Sequence, residues 1–543
     1  MRQGVPKALL LLAISFIGTA AQTKDNEVTL TMAQVQGRMD SYLDAVKNGT
    51  KEVNGVPPNT EPSACALACG WLDNELPGLI SFPDSQEYSL LAAGYWTTQQ
   101  AETRPTCRFS PTSAVDVSTG LLGLRVAECQ FAVKSGGHSI AAGTSSIENG
   151  VVIHLGDINQ ITLSEDESQL SVGTGNRWVN VYSFLDGTGL TVIGGRVAGV
   201  GVGGFTLGGG VSYFSGKYGW SCDNVMAYEI VLADGSIRDV TQGSDPDIFF
   251  ALRGGGNNFG IITRIDFITY PQGDFFVGAR TFEYDSATEA ALNEALVNLN
   301  INGATDPQGG GGSVLAYAYD QPNDRWMIAA SLYYGAPEEN PAIMSNFTSV
   351  PHALSDTLRV TSLLDAAVEF NASNPSGFRR TTWGLMLKND ANIVKEITAI
   401  FMNEYNNIKD VADLNPTLIY QTVTLPTIAH FRDRGGNALG ITEEDGPLIL
   451  IEVDVAWSSE SDDDRAKAAS RNTINLGTAL AKEQGVYHPF IFLNYADREQ
   501  NVFPTYGEKN FDKLVAASEK YDPDQVWQTF QPQIFRLNPA HAV

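Results

Sequence analysis

The sequence predicts an α+β chain of two domains, the second an antiparallel sheet with helices. Three observations carry this reading. From Arg108 to Gly273, short strand-like runs bracket two glycine-rich stretches, Ser135–Ser139 (SGGHS) and Gly194–Gly210, the latter with nine glycines in seventeen residues. Glycine costs folding entropy and is kept where φ is positive or a missing Cβ is needed, so both runs mark close backbone approach. Beyond Gly273 these clusters thin out, apart from Gly309–Gly312. Strand patterns (Ser313–Tyr319, Trp326–Tyr334) then alternate with amphipathic helices such as Ala287–Leu299.

In chain order, residues 22–100 read as helical and irregular, with a Pro/Asn-rich link at Asn54–Pro62. Pro111–Val117 opens a helix with Asp116 in its first turns. Cys129–Lys134 is a strand entering SGGHS, and Val151–Leu155 is another. Leu170–Gly175 is a third, followed by a helix over Trp178–Leu185. Met226–Val240 is a hairpin turning at Asp234-Gly235. Ser244-Asp-Pro-Asp starts a helix, with a capping residue, Pro near its first position and acid in its first turn. That helix leads through Arg253–Gly260 (RGGGNNFG) into a strand over Ile261–Tyr270. The tail carries a strand, Phe490–Tyr495, and a helix, Phe511–Tyr521. There is no internal repeat. The expected division is 1–21 leader, 22–100 N-terminal segment, 101–273 glycine-rich domain, 274–485 second domain and 486–543 C-terminal segment.

The 543 residues are 43% hydrophobic, enough for large cores. The formal charge of −27 disfavours nucleic acid and anionic membranes as partners. Arg2 and Lys7 precede an apolar run, Ala8–Ala21, that ends in small residues and is too short to span a bilayer. This reads as a secretory signal peptide, so the protein is expected to be secreted. Export permits disulfides. Cys65, Cys69, Cys107 and Cys129 cluster in the first quarter, and two bridges among four cysteines allow three connectivities. Cys65 and Cys69, at i and i+4, share a helix face, so each is expected to reach out to Cys107 or Cys129, leaving Cys222 a buried free thiol. No CxxC pair or neighbouring histidine suggests zinc, and no metal is expected. Asn48, Asn346 and Asn371 head glycosylation sequons.

The ordered set SGGHS, GVGVGGFTLGGG, Tyr218–Asn224 (YGWSCDN) and LRGGGNNFGI resembles the FAD-linked oxidases of the vanillyl-alcohol oxidase superfamily, in the berberine-bridge-enzyme-like branch. The resemblance runs from about residue 60 to the C-terminus, including Asn494-Tyr-Ala-Asp and Lys520-Tyr-Asp-Pro. It implies a PCMH-type FAD-binding domain, an antiparallel-sheet substrate domain and a C-terminal segment that returns to the flavin. A dinucleotide-binding Rossmann loop is the rival for the glycine run, but Gly199-Val-Gly201-Val-Gly203-Gly204 lacks its spacing, and no short βαβ unit with a downstream acid surrounds it.

His138 alone reads as a hydrogen-bonded loop histidine. Within SGGH the resemblance implies a covalent link to the flavin 8α-methyl. Relatives with a second link carry a cysteine where this chain has Val197, so a single link is expected. The resemblance also implies cofactor contacts from Ser135, Gly136, Gly137, Ser139, Gly199, Gly201, Gly203, Gly204, Gly209, Asp223, Asn224, Gly255, Gly256, Asn257 and Gly260. Tyr495, in the segment nearest the substrate face in relatives, is the candidate base, with Asn494 orienting flavin or substrate and His430 or His488 as other candidates; His154 reads as a core histidine. The expected activity is oxidation of a small-molecule alcohol, amine or natural-product intermediate by a monomeric flavoprotein, with O2 as acceptor. An oxidative cyclase, a carbohydrate oxidase and a non-catalytic flavin- or carbohydrate-binding protein are the alternatives.

Overall fold

The computed structural model describes residues 29–54, 61–140, 142–531 and 535–537. The expected leader at 1–21 lies outside them. Two helices begin the described chain. Met32–Lys47 is capped by Thr31, whose hydroxyl accepts from Gln34 N–H while the Gln34 side chain accepts from Thr31 N–H. Ala64–Glu75 is capped by Ser63. This second helix carries both half-cystines of its pair: Cys65 bonds Cys129 and Cys69 bonds Cys107. The bridges pin the helix to the start and the flank of the sheet below, and Cys222 is free and buried. Thiol titration of the denatured, unreduced protein is therefore expected to count one reactive sulfur. Removing either bridge is expected to cost ~2–4 kcal/mol, mostly through the unfolded chain.

That sheet has four strands in the order Ile80–Ser81, Cys107–Phe109, Val151–His154, Phe131–Lys134, the last three parallel. The helix Ala114–Val126, capped by Ser113 on Asp116 N–H, covers one face. A five-stranded antiparallel sheet follows, ordered Ile161–Leu163, Gln169–Gly173, Ile261–Ile268, Val225–Val231, Ile237–Thr241. The hairpin turns at Asp234-Gly235, with Gly235 at φ +83°. The SGGHS loop leaves the first sheet, and the long glycine run follows the helix Trp178–Leu185.

The second half is a nine-stranded sheet, antiparallel throughout. Its centre is Gly312–Asp320, Asn415–Val423, Leu448–Trp457 and Arg379–Lys388. Helices Ser286–Asn302, Ala391–Asn406 and Asp463–Glu483 bury one face. The side chains alternate as a strand requires: Ile449, Ile451 and Val453 join that helical core, whereas Leu448 and Leu450 join a core shared with the glycine-rich half. The sheet thus turns one face toward the glycine loops.

The C-terminal segment crosses back to the first half. Helix Glu508–Tyr521 packs on Pro246–Ala251, with Lys520 and Tyr521 both bonded to Asp247. Trp527 enters the core beneath Phe131. One expectation fails here: Phe490–Tyr495 is not a strand. Tyr487–His488 pairs briefly with Met386 and Leu387, then the chain leaves the sheet and closes in a 3₁₀ turn at Leu493–Tyr495. Side chains replace strand partners, His488 Nδ1 accepting from Phe490 N–H at 3.3 Å and Thr505 Oγ1 from Ile491 N–H at 3.1 Å. The aromatic run is explained by packing: Phe490 and Phe492 both lie against Trp220.

Candidate active site

The two glycine runs meet backbone to backbone. A Cβ at Gly136 would sit 2.4 Å from Gly201 Cα, and one at Gly201 would sit 2.4 Å from Gly136 N, so neither position tolerates a side chain. Ser135 Oγ donates to Thr174 O at 2.6 Å and lies beside Gly203. Gly137 is held at φ +69°, which glycine alone adopts readily. Among the described residues, the N–H groups of Gly136, Gly137, His138 and Ser139 donate to no backbone carbonyl. Consecutive N–H groups left open around such a turn form an anion nest, the chemistry a diphosphate needs. Space beside Gly204 is open.

His138 lies between charges of one sign. Burial, then the Arg177 and Arg380 guanidiniums, hold its imidazole down to about 3, so the ring is neutral and keeps a lone pair. Arg177 braces the loop by donating to Gly199 O at 2.6 Å and Gly94 O at 2.9 Å. The predicted glycosylation site Asn371 is half-buried, and its carboxamide oxygen accepts from Gly199 N–H at 2.8 Å; Asn48 and Asn346 are exposed.

The other residues expected at the cofactor are tied into the fold around these loops. Asp223 is fully buried and pairs with Arg253 at 3.1 Å. Its oxygens also accept from Asn437 Nδ2 and Trp220 N–H, each at 2.8 Å. Asn224 donates to Tyr218 O and Trp220 O and accepts from Tyr270 Oη. Both side chains are spent within the fold. Gly209 packs against Trp220 and Phe492, Gly255 against Phe259, Gly256 against Leu493 and Gly260 against Ile230. Gly254 and Gly256 N–H both donate to Leu207 O at 3.1 Å, tying RGGGNNFG to the helix Val202–Leu207. Asn257 is half-buried on the same turn.

Tyr495 projects between the halves. Its hydroxyl accepts from Arg196 Nη2 at 3.2 Å and donates to Gln421 Oε1 at 3.4 Å. Burial first, then the nearby Glu452 carboxylate, push the phenol up to about 12, against the opposing pull of Arg196. Burial, then the neighbouring Asp454, push the Glu452 carboxyl well above its ordinary value, against the opposing pull of Arg196 and Arg380. Arg196 is 7% exposed, and its Nη1 has no hydrogen-bond partner among the described residues. Asn494 Nδ2 donates to Phe205 O at 3.0 Å, placing that amide on the glycine run beside Gly208. The other histidines are local: His430 pairs with Asp433 at 2.8 Å, His488 with Asp445 at 3.3 Å, and His154 Nδ1 accepts from Gly156 N–H. Arg196, Gln421 and Glu452 escaped sequence reasoning. Arg196 had one signal, as the charged residue within the glycine run.

An anion nest, a neutral histidine beside it and a buried phenol–guanidinium pair facing a sheet form a candidate cofactor site whose residues suit FAD. Residues 105–241 match the model of an FAD binding domain. The chain is 34% identical over 494 residues to FAD-dependent monooxygenase tpcD of Cochliobolus heterostrophus, covering 88% of this chain and 94% of that protein. It is 29% identical over 504 residues to the bifunctional solanapyrone synthase of Alternaria solani, covering 92% and 94%. The solved structure of Physcomitrella patens BBE-like 1 matches the fold with TM-score 0.70 at 16% identity, covering 87% of this chain and 99% of that one. The chain belongs to the family of FAD-dependent oxidoreductases that includes these fungal monooxygenases, and it shares its fold with a BBE-like protein.

Proposed function

We propose that this is a secreted oxidase with FAD joined to His138 alone, acting on a small-molecule alcohol, amine or natural-product intermediate. Bound FAD supplies hydride acceptance from a substrate C–H and reduction of O2 to H2O2. The chain's own residues do the rest. The open N–H groups of SGGHS hold the diphosphate. The neutral His138 ring offers a nitrogen for the link, and valine at 197 offers no second one. Tyr495 takes the proton from the substrate O–H or N–H. Arg196, within hydrogen-bond reach of that oxygen, favours its ionised form, and Gln421 fixes its direction. The observation that carries this reading is the Tyr495–Arg196 contact on the sheet face turned toward the glycine loops.

Acid precipitation is expected to leave the protein yellow, with the flavin mass on the peptide containing His138. Colour released to the supernatant, or a second flavin–peptide bond, would overturn the single link. Two disulfides support the extracellular assignment. A second reading, oxidation coupled to ring closure, is favoured by the similarity to a protein named a synthase; isolation of a cyclised product would select it. An oxygen-consumption screen over alcohols, amines, sugars and polyketide intermediates would identify the substrate.

A further inference from the structure

Two groups press on one indole. The His138 ring stacks on Trp96 with centroids 4.0 Å apart and planes 16° from parallel. The Arg380 guanidinium carbon lies 4.3 Å over the same residue's ring. Trp96 thus contacts both the histidine and the guanidinium. The indole is itself fixed on several sides. Its backbone N–H donates to Gly137 O at 3.0 Å, its carbonyl accepts from Gly377 N–H at 3.1 Å, and Nε1 donates to Asn374 O at 3.2 Å. Arg380 is held in turn by Asp454 at 3.1 Å and by Pro375 O at 2.9 Å, and Gln99 bonds both its backbone N–H and its carbonyl. One aromatic side chain from the N-terminal segment thus spans the histidine loop and the second sheet. Neither Trp96 nor Arg380 lies in a glycine motif.

We propose that Trp96, backed by Arg380, is the positioning residue that presents His138 for covalent attachment of the flavin. Stacking grips the imidazole by its face. The ring nitrogens lie in the ring plane, so the grip leaves them free to bond. Attachment exchanges one ring N–H and one flavin methyl C–H for an N–CH2 bond. The two electrons and two protons released reduce the isoalloxazine and pass on to O2, which leaves as H2O2. The neutral imidazole held beside Arg177 and Arg380 is the form that can make this bond. The inference rests on the His138 link proposed above.

The test compares the full-length wild-type chain with Trp96→Leu, which loses the ring, Trp96→Phe, which keeps one, and Arg380→Met. Each is expressed under riboflavin limitation and then incubated with FAD. Flavin retained after acid precipitation is followed over time, and bound but unlinked flavin is measured from the absorbance released by acid. Trp96→Leu is expected to bind FAD and to attach it about 10²-fold more slowly, the scale of a misplaced reacting group. Trp96→Phe is expected to restore most of the rate, which a merely structural role of the indole would not do, and Arg380→Met to fall between. Trp96→Leu attaching at the wild-type rate would overturn the proposal alone. Wild-type flavin lost wholly to the supernatant would overturn the link and the proposal with it. Trp96→Phe as slow as Trp96→Leu, with FAD bound in both, would overturn the stacking argument.

Discussion

Replacing Tyr495 by Phe is expected to slow anaerobic flavin reduction by substrate ~10²–10⁴-fold, the usual worth of a positioned general base. The flavin should stay attached. The change keeps the ring, which packs edge-on against Phe492 at 4.9 Å, and removes just the oxygen that contacts Arg196 and Gln421. Burial pushes this phenol up to about 12, against the form that can accept the substrate's proton, and the adjacent Arg196 guanidinium is the group that pulls it back down. Stopped-flow reduction rates for wild type and variant are the measurement. A ratio within a few-fold of one would return Tyr495 to an ordinary packed aromatic.

The second large effect is on stability. Arg253 is fully buried and gives hydrogen bonds to five groups: Asp223 Oδ1 and the carbonyls of Cys222, Asp433, Arg434 and Gly436. Arg253→Met fills similar volume but leaves the Asp223 carboxylate buried without its charge partner, and breaking such a pair costs about 3–5 kcal/mol. The double variant Arg253→Met/Asp223→Asn removes the stranded charge and should recover part of that loss. Denaturant unfolding of the wild type and the two variants is the check. A double variant no more stable than Arg253→Met would mean that the lost carbonyl contacts, rather than the stranded charge, set the penalty.

Several features were legible because their cause is local. Gly136 and Gly201 are required wherever two backbones come within van der Waals contact. The turn at Gly235 needs φ +83°, and Asp-Gly announces it. Cysteines at i and i+4 share a helix face, and the bridges run outward as that spacing required. The phenylalanines of 490–495 read as a strand because period and apolar content are the same for a pleated edge and for a run packed on Trp220; the partner decides, and the partner is distant in sequence. Arg253 and Asn437, the partners of Asp223, lie 30 and 214 positions away and had no local signal.

The sequence alone therefore determined that this chain folds around glycine loops able to approach a diphosphate, places a histidine in one of them and staples its first quarter, because each depends on neighbours a few residues away or on residue chemistry itself. Tertiary structure alone decided what surrounds the chemistry. Tyr495 meets Arg196 across 299 positions and Gln421 across 74, and Trp96 meets Arg380 through the docking of the N-terminal segment on the second sheet. Such meetings are fixed by strand register and by which sheet face turns toward the loops, and no short-range pattern in the chain encodes either.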